Sequence, residues 1–364
     1  MQQREKNIMW IIIGIVLFIL PMSCYPFVRE FLDETNYENR NMVERPVMSV
    51  SSYSTYAQQY EQYFNDHLPY RNLFVKNMNL IKHYVFNENV GQVINGKDGW
   101  LFYSGANAIA YYKRDSYFPE EYMQEVVQNL SEIDQRMQEQ NIQFCVLLLP
   151  NKEEVYEEYM PDYYIRPEIP NRTDVLANYI WQYSDIMLVY PKTELREEKD
   201  EYQLYFKHDT HYNCLGAFIA YEQVIASLGK ERIYLSECEV NQTQMSDRIS
   251  GKNDLEKMMG FSGVLEEDYE YYLSEYPLLE DWEKEEYNNQ NAVNDERVLL
   301  VGDSFRISLL PYLSKGFENV KVVDFTTYSQ EILEEYQPDI VIWELLERND
   351  EQLKDFRFYN SFSG

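Results

Sequence analysis

An apolar segment lies close to the amino terminus of the chain. Residues 8–20 are almost all strongly apolar, and the apolar character continues with interruptions to Val28. An extended segment of about 20 residues is long enough for a helix to cross a bilayer. Arg4 and Lys6 precede it, and this order of charge places the amino terminus inside and the bulk of the chain outside. We therefore predict a single-pass membrane anchor over residues 1–28, with the remainder extracytoplasmic.

A cleaved signal peptide is the alternative interpretation of this segment. Residues 21–26, with Pro21 and Pro26, contain no clean small-x-small cleavage site. Cys24 is also a poor candidate for lipid attachment, because proline stands three residues before it. These features favour an uncleaved anchor.

Residues 29–115 form a membrane-proximal region in our interpretation. Tyr56, Tyr60 and Tyr63 recur at helical spacing, which predicts a helix there. The turn signature of residues 95–99 precedes a short apolar run at 100–103, which is typical of a strand.

From residue 116 onward, apolar runs of strand length alternate with segments of helical periodicity. The predicted strands are 144–149, 186–190, 298–301, 320–325 and 340–343. The predicted helices are 119–140, 173–183, 213–228, 305–314 and 329–336. Continuous apolar strands between helices indicate a parallel sheet covered on both faces, so we predict an α/β domain over 116–364. Residues 240–294 are acidic and tyrosine-rich without clear periodicity, and we expect an insertion or lid.

Composition narrows the classes of partner. The formal net charge of -30 argues against nonspecific nucleic-acid binding and against docking on anionic surfaces. Some of the 34 tyrosines suit a carbohydrate cleft, because an aromatic ring stacks on a sugar while its hydroxyl stays wet, but we expect most of them to be half-buried surface packing. Four cysteines without paired spacing indicate neither a disulfide scaffold nor a zinc site.

Gly302-Asp303-Ser304 directly follows the predicted strand 298–301 and precedes a predicted helix. This arrangement places the Ser304 hydroxyl at the carboxyl edge of the sheet, where open α/β folds bind ligands. The helix amino terminus would offer N–H groups to a developing oxyanion. A nucleophile is one interpretation of Ser304, and a simple helix cap is the other.

A serine nucleophile needs a histidine base that a carboxylate orients. The chain has four histidines, and two of them lie in the segment 206–213. Asp209 and His211 are two positions apart, so in an extended segment their side chains point to one side. A metal site formed by His208, Asp209 and His211 is the alternative, although no second ligand cluster is evident. The remaining histidines, His67 and His83, fit packing or surface roles.

These motifs resemble the DHHW family, which is related to alginate O-acetyltransferases and other SGNH-hydrolase-like acetyltransferases of surface polysaccharides. The similar segments within residues 36–350 are 38–40, Asp66 with Arg71, 96–102, 150–152, 209–213, 216–217 and 302–305. The resemblance implies an SGNH-like fold with Ser304 as nucleophile, His211 as base and Asp209 as its orienting carboxylate. Tyr212 stands where the family has tryptophan, a change that affects no proton transfer.

The predicted activity is therefore a serine-dependent O-acetyltransferase that acts on a cell-surface or cell-wall polysaccharide through an acyl-serine. The resemblance implies a donor acetyl group delivered across the membrane by a membrane-bound O-acyltransferase partner. A carbohydrate acetyl esterase and a non-catalytic glycan-binding or assembly protein are the alternatives. We predict no cofactor and no metal, and Lys152, Arg306 and Asn213 are the predicted substrate-side residues.

Overall fold

A computed structural model describes residues 2–32, 42–49, 53–231, 233–244, 253–266 and 268–359. The chain forms two compact units, one of residues 1–91 with 256–264 and the other of residues 92–255 with 265–364. The sequence-based boundaries after residues 28 and 115 remain predictions of domain organisation. Residues 38–40, one of the segments that carry the family resemblance, lie outside the described residues.

The first unit is helical. Its helices are α1 (Gln2–Gly14), α2 (Leu20–Val28), α3 (Tyr56–Asp66) and α4 (Arg71–Ile81). A π-helical turn joins α1 to α2, and the continuous helix Arg4–Phe31 is long and apolar enough to cross a membrane. This helix coincides with the apolar segment expected from the sequence. His67 and His83 both lie in this unit, where the His67 ring stacks on Tyr63 at 4.3 Å between ring centroids.

The second unit contains the strands of the described chain. They are β1 (Val93–Asn95), β2 (Leu101–Tyr103), β3 (Gln143–Leu149), β4 (Met187–Val189), β5 (Val240–Gln244), β6 (Tyr269–Leu273), β7 (Glu286–Asn288), β8 (Asn294–Gly302), β9 (Phe317–Asp324) and β10 (Ile340–Leu346). The central sheet has the order β4-β3-β10-β8-β9-β7, in which only the edge strand β7 is antiparallel to its neighbour. The pairs β1–β2 and β5–β6 form separate antiparallel hairpin-like ladders.

Helices cover both faces of this sheet. The remaining helices are α5 (Ala108–Tyr112), α6 (Glu120–Glu139), α7 (Lys152–Val155), α8 (Arg172–Tyr183), α9 (Lys192–Glu198), α10 (Cys214–Ser227), α11 (Asp254–Met258), α12 (Leu310–Gly316), α13 (Gln330–Tyr336) and α14 (Gln352–Asp355). Alternate residues of a strand point to opposite faces. Cys145 and Leu147 of β3 accordingly pack in one core with α10 and α12, while Phe144 and Val146 pack in the other with α6, α8 and α13.

The predicted α/β class with a parallel sheet and flanking helices is confirmed. The largest difference is the segment after Ser304, which begins as a 3₁₀ turn over Ser304–Leu309 and becomes α-helical only at α12. Part of the acidic region 240–294 is also more ordered than its irregular pattern indicated. It supplies β5, α11, β6 and β7, and β7 extends the central sheet.

Candidate active site

Ser304 lies two residues beyond the end of β8, at the carboxyl end of a strand in the middle of the sheet. Gly302 is packed against the neighbouring strand β10, because a Cβ atom there would collide with the side chain and carbonyl of Glu344. Glycine is therefore needed at position 302, where Glu344 of β10 leaves no room for a side chain. Ser304 itself is exposed, so its hydroxyl is open to an incoming molecule.

Asp303 fixes the turn that carries Ser304. One carboxylate oxygen accepts the Phe305 N–H at 3.0 Å, which caps the 3₁₀ turn. The other accepts the Leu346 N–H at 3.1 Å and the Asn349 side-chain amide at 2.8 Å. Because Leu346 is the last residue of β10, a single carboxylate ties the serine turn to the end of the next strand.

Ser304, His211 and Asp209 meet in one chain of hydrogen bonds. His211 Nε2 lies 2.7 Å from Ser304 Oγ, and His211 Nδ1 lies 2.6 Å from an Asp209 carboxylate oxygen. With the proton on Nδ1 donated to Asp209, Nε2 presents a lone pair to the serine hydroxyl. The imidazole is thereby placed to accept the hydroxyl proton.

The segment that carries His211 is held from both sides. Asn213 caps α10 by accepting the Gly216 N–H at 2.9 Å, and its own N–H donates to the Leu204 carbonyl at 2.9 Å. The Tyr212 hydroxyl donates to the Phe305 carbonyl at 2.9 Å, and the Phe305 ring lies 4.5 Å from the His211 ring between centroids. Phe305, the residue after Ser304, therefore contacts both Tyr212 and the His211 ring.

Burial and charge set the protonation of the pair. Burial alone would lower the pKa of the His211 imidazole, but the charge of Asp209 and its hydrogen bond outweigh burial and raise that pKa. The Asp209 carboxyl is fully buried, which opposes ionisation, yet the charge and hydrogen bond of His211 hold its pKa well below the usual range. Asp209 is therefore ionised and stabilises a positive charge on the ring.

Asp254 is a member of the site that sequence reasoning missed. Its carboxylate accepts the Thr210 N–H at 2.7 Å and the Thr210 hydroxyl at 2.6 Å, and its N–H donates to Asp209 at 3.0 Å. One oxygen lies 3.8 Å from His211 Nδ1. Burial and the charge of Asp209 raise the pKa of the Asp254 carboxyl to about 6. It lies within the acidic region 240–294, where no local pattern distinguished it from other acidic residues.

Asp268 is a second acidic residue from this region. Its carboxylate accepts the Lys207 N–H and, at 3.3 Å, the His208 N–H. His208 is buried next to Asp209, and its exclusion from the serine–histidine–aspartate group remains a prediction. Asp254 and Asp268, both from the acidic region 240–294, therefore accept hydrogen bonds from backbone N–H groups of residues 207–210.

Asp209, His211 and Asp254 also offer ligand atoms that lie within 4.8 Å of one another. The alternative metal site predicted from the sequence consists of His208, Asp209 and His211. Among the described residues, Asp254 takes the place of His208 in the group whose ligand atoms lie close together. The same atoms already bond to one another and to Thr210, and a cation on Nδ1 would displace the hydrogen bond to Asp209. Proton relay and metal binding are competing uses of this group.

The predicted substrate-side residues have partners inside the protein. Lys152 is buried, and its ammonium donates to the carbonyls of Leu101, Lys207 and Asp209 at 2.6, 2.8 and 3.0 Å. Burial lowers the pKa of the Lys152 ammonium to about 7, against the charges of nearby aspartates. Lys152 therefore holds β2 and the 207–209 backbone together, and its role toward substrate remains a prediction.

Arg306 and Asn213 are also engaged internally. Arg306 donates to the Gly302 and Asp303 carbonyls at 3.2 and 2.5 Å and pairs with Asp324 at 3.0 Å. Asn213 is fully buried at the start of α10. These contacts stabilise the two segments that carry Ser304 and His211, and a direct role in substrate binding remains a prediction for both residues.

Arg348 is a further residue near the site that the sequence did not single out. It follows the end of β10, with its guanidinium carbon 5.2 Å from the centre of the Tyr103 ring and 6.0 Å from the Phe305 ring. Its positive charge lowers the pKa of His211, in opposition to the carboxylates. Arg348 is thus a half-buried cation whose field reaches the imidazole.

Solved structures of other proteins resemble this chain in fold. Bacillus cereus PatB1 is 16% identical, with a TM-score of 0.52 over 73% of this chain and 99% of that chain. The O-acetyltransferase domain of Pseudomonas putida AlgJ is 17% identical over 73% of this chain and 99% of that chain, with a TM-score of 0.46. A DHHW family protein from Eubacterium siraeum is 13% identical over 74% and 99%, with a TM-score of 0.45.

No curated protein sequence matches the chain. The family model described as "SGNH hydrolase-like domain, acetyltransferase AlgX" matches residues 93–347. This range includes β1, the segment 206–213 with Asp209 and His211, Ser304 and the end of β10. The predicted resemblance to SGNH-like acetyltransferases is confirmed by this match. Because the matched region is well over half of the 364 residues, the chain belongs to the family of the SGNH hydrolase-like domain of acetyltransferase AlgX.

Proposed function

We propose that the protein is an extracytoplasmic O-acetyltransferase that modifies a polysaccharide of the cell surface or cell wall through an acetyl-serine at Ser304. The observation that carries this proposal is the 2.7 Å contact between Ser304 Oγ and His211 Nε2, with Asp209 2.6 Å behind the ring. Membership of a family described as acetyltransferase supports the acyl group and the reaction class.

In the first step, His211 Nε2 accepts the Ser304 proton while Oγ attacks the carbonyl carbon of an acetyl donor. Asp209 stabilises the imidazolium that forms. The tetrahedral intermediate collapses as the bond to the donor breaks, and His211 returns the proton to the leaving group. Ser304 is left as an acetyl ester.

In the second step, a sugar hydroxyl replaces the departed donor. His211 accepts the proton of this hydroxyl as its oxygen attacks the acetyl-serine, and the bond to Ser304 Oγ breaks. The proton then passes from Nε2 to Oγ, which restores the free serine and leaves an O-acetylated glycan. The same imidazole serves as base and acid in each step.

Charge develops on the acetyl oxygen in both tetrahedral intermediates. We infer that the Arg348 guanidinium stabilises this oxyanion, because its carbon lies 6.0 Å from the centre of the ring of Phe305, the residue after Ser304, and its positive charge acts on His211. A donor aimed at the developing charge is commonly the largest electrostatic contribution to such reactions.

The apolar helix Arg4–Phe31 supports a membrane location for the enzyme. We infer that it keeps the catalytic unit close to a membrane-bound O-acyltransferase that delivers the acetyl group across the bilayer. The glycan acceptor then reaches Ser304 from the extracytoplasmic side.

Hydrolysis is the second candidate function, because the exposed Ser304 leaves room for water as the acceptor. A carbohydrate acetyl esterase would use the same three side chains. Incubation of the purified protein with a bare glycan and an activated acetyl ester separates the two. Formation of acetylated glycan indicates transfer. Release of acetate at the same rate with and without added glycan indicates hydrolysis.

The catalytic assignment is tested by labelling with a fluorophosphonate and by acetyl transfer in Ser304→Ala. We expect the wild type to be labelled at Ser304 and the variant to lose labelling and transfer while keeping its melting temperature. Ser314→Ala is the matched control, because the Ser314 hydroxyl bonds within α12 to the Leu310 carbonyl at 2.6 Å. Transfer at the wild-type rate in Ser304→Ala would remove this serine from the mechanism.

A further inference from the structure

A cavity of about 630 Å³, not lined by Ser304, lies between the end of β4 and the helices α8 and α9. Because β4, β3, β10 and β8 run parallel, the ends of β4 and β8 face the same edge of the sheet. Three strand spacings of about 4.8 Å place these two ends about 14 Å apart. The cavity residues that directly follow β4, Tyr190 and Lys192, therefore lie at the edge of the sheet that carries the proposed catalytic serine.

Trp181 and Tyr190 give the cavity an aromatic lining. The Trp181 side chain is 48% exposed, although its indole N–H donates to the Leu188 carbonyl at 3.0 Å. The ring is thus fixed in orientation while much of its surface faces solvent. Fixed, partly exposed aromatic rings are suited to stacking on the apolar face of a sugar.

The charged residues of the cavity balance one another. Three are basic and three are acidic: Arg166, Lys192, Arg196, Glu168, Asp174 and Glu197. The basic side chains are already paired, since Lys192 lies 2.8 Å from Asp174 and 3.1 Å from Glu154, and Arg196 lies 2.5 Å from Glu157. The lining therefore offers no excess charge to an ionic ligand, whereas its carboxylates, amide and guanidinium groups suit sugar hydroxyls.

A polar connection runs from this cavity toward the serine. The Tyr190 hydroxyl donates to Glu347 at 3.3 Å, and a Glu347 oxygen accepts the Asn151 N–H at 2.8 Å. Glu347 directly precedes Arg348, whose guanidinium packs on Phe305. Buried and half-buried residues thus join the cavity wall to the Ser304 edge past the ends of the two intervening strands, β3 and β10.

We propose that this cavity is a remote glycan subsite that binds uncharged sugar units of the acceptor chain, some distance from the unit acetylated at Ser304. The effect of the subsite on catalysis rests on the proposed function. Binding of sugar to the cavity does not, because it requires no chemistry at Ser304. A polymer that occupies both places is held across the sheet edge, whereas a small acetyl ester needs only Ser304.

Binding is tested first with cellohexaose and with the β-1,4-linked hexamer of N-acetylglucosamine, added to the full chain in detergent micelles. The Ser304→Ala background removes turnover, and isothermal titration calorimetry measures the affinity in every variant. A fluorescence change that is present with Trp181 and absent in Trp181→Phe shows that the sugar contacts this ring. We expect at least one hexamer to bind, Trp181→Ala to weaken that binding about three- to tenfold, and Trp181→Phe to retain it in part. Failure of both hexamers to bind the Ser304→Ala protein would overturn the proposal.

Catalysis supplies the second arm, with Tyr183→Ala as the matched control. Tyr183 is an exposed aromatic residue near the end of the same helix and does not line the cavity. We expect Trp181→Ala to raise KM for the bound hexamer about three- to tenfold without changing hydrolysis of an activated acetyl ester, and Tyr183→Ala to change neither. An unchanged KM would overturn the subsite, whereas an unlabelled Ser304 would overturn the proposed function and leave the binding result intact.

Discussion

His211 is a buried imidazole whose basicity is set by three charged neighbours. Asp209 and Asp254 act to raise its pKa, and Arg348 acts to lower it. Burial opposes the charged form of the ring, but the hydrogen bond from Nδ1 to Asp209 stabilises it. A base in such a balance responds measurably to the loss of any one neighbour.

Replacement of Arg348 by glutamine tests this balance and the proposed oxyanion contact together. The acetyl-transfer rate falls as the pH drops through the pKa of His211, because the protonated ring cannot accept the serine proton. Loss of the Arg348 charge raises that pKa, so we expect the acid limb of the rate profile to move to higher pH. We also expect kcat to fall about a hundredfold if the guanidinium meets the oxyanion.

Asp209→Asn is the control of opposite sign. It removes the charge and hydrogen bond that raise the pKa of His211, so the acid limb moves to lower pH while kcat falls by about 10⁴. A profile in Arg348→Gln that keeps the wild-type acid limb and kcat would show that Arg348 has only a packing role against Tyr103 and Phe305.

At this scale, the sequence predicts the residues that sit in a recognisable local pattern. Ser304 follows an apolar strand and a glycine, and Asp209 and His211 share a segment just before a capped helix. Asp254 and Arg348 have no such pattern, because they reach the site only through the path of the chain in three dimensions. A single acidic residue in an acidic region carries no mark of its contact with Thr210.

Among the secondary-structure elements, the loop before α10 depends on a buried cation for its position. The Lys152 ammonium bonds to one carbonyl of β2 and two carbonyls of the segment 207–209, so it joins elements that are far apart in sequence. Its ammonium also lies 5.1 Å from the centre of the Trp100 ring and 5.2 Å from that of Phe102. The backbone of Asp209 is therefore held by a residue of α7.

Lys152→Met is expected to lower the free energy of unfolding by about 2–4 kcal/mol, because three carbonyls lose the ammonium as a hydrogen-bond donor, although the Lys207 carbonyl keeps the Leu101 N–H at 2.9 Å. Acetyl transfer is expected to fall as well, since the Asp209 backbone loses its anchor. Urea unfolding of the full chain in detergent, followed by circular dichroism, measures the first effect.

Lys113→Met provides the comparison, because Lys113 forms only an exposed ion pair with Asp115 at 3.2 Å. Such a pair contributes about 0–1 kcal/mol, so its loss is expected to leave stability and activity nearly unchanged. Equal stability of the two variants would show that the carbonyls near residue 152 find other donors.

The strands and helices of the sheet were predictable because each carries its own apolar periodicity. β3, β10 and the second half of β8 (298–302) are almost entirely buried, so they appear in the sequence as apolar runs. The 3₁₀ turn at Ser304–Leu309 was not predictable in this way, since its tightness follows from the Asp303 cap and the bond to β10. β7 was missed because a short, partly exposed edge strand has little apolar signal.

At the scale of the whole molecule, charge and location act together. The net charge of -30 keeps the chain away from anionic surfaces, yet the apolar helix Arg4–Phe31 is suited to a bilayer. In the proposed function these properties are compatible, because the helix fixes the chain to the membrane while the acidic remainder stays in solution. The sequence predicts this arrangement from residues 1–28. In the proposed function, the anchor matters for acetylation because the acetyl donor is delivered at the membrane.

Replacement of residues 1–31 by a cleavable secretory signal peptide tests that dependence, because the chain is still exported but is no longer held by an anchor. We expect the shortened chain to leave the membrane fraction, to keep its hydrolysis of an activated acetyl ester, and to lose glycan acetylation in the producing cells. The reason is that the serine site is unaffected, whereas proximity to a donor-delivering partner raises the effective concentration of acetyl groups. Acetate released from purified glycan by mild alkali measures the outcome.

An unrelated single-pass helix in place of residues 1–31 separates anchoring from any specific contact of the native segment. If proximity alone matters, the substituted chain restores acetylation, because any anchor holds the domain near the partner. If it restores membrane binding without acetylation, the native helix itself contacts the partner within the bilayer. Normal acetylation by the unanchored chain would instead mean that the acetyl donor diffuses freely, and the membrane-bound partner would lose its support.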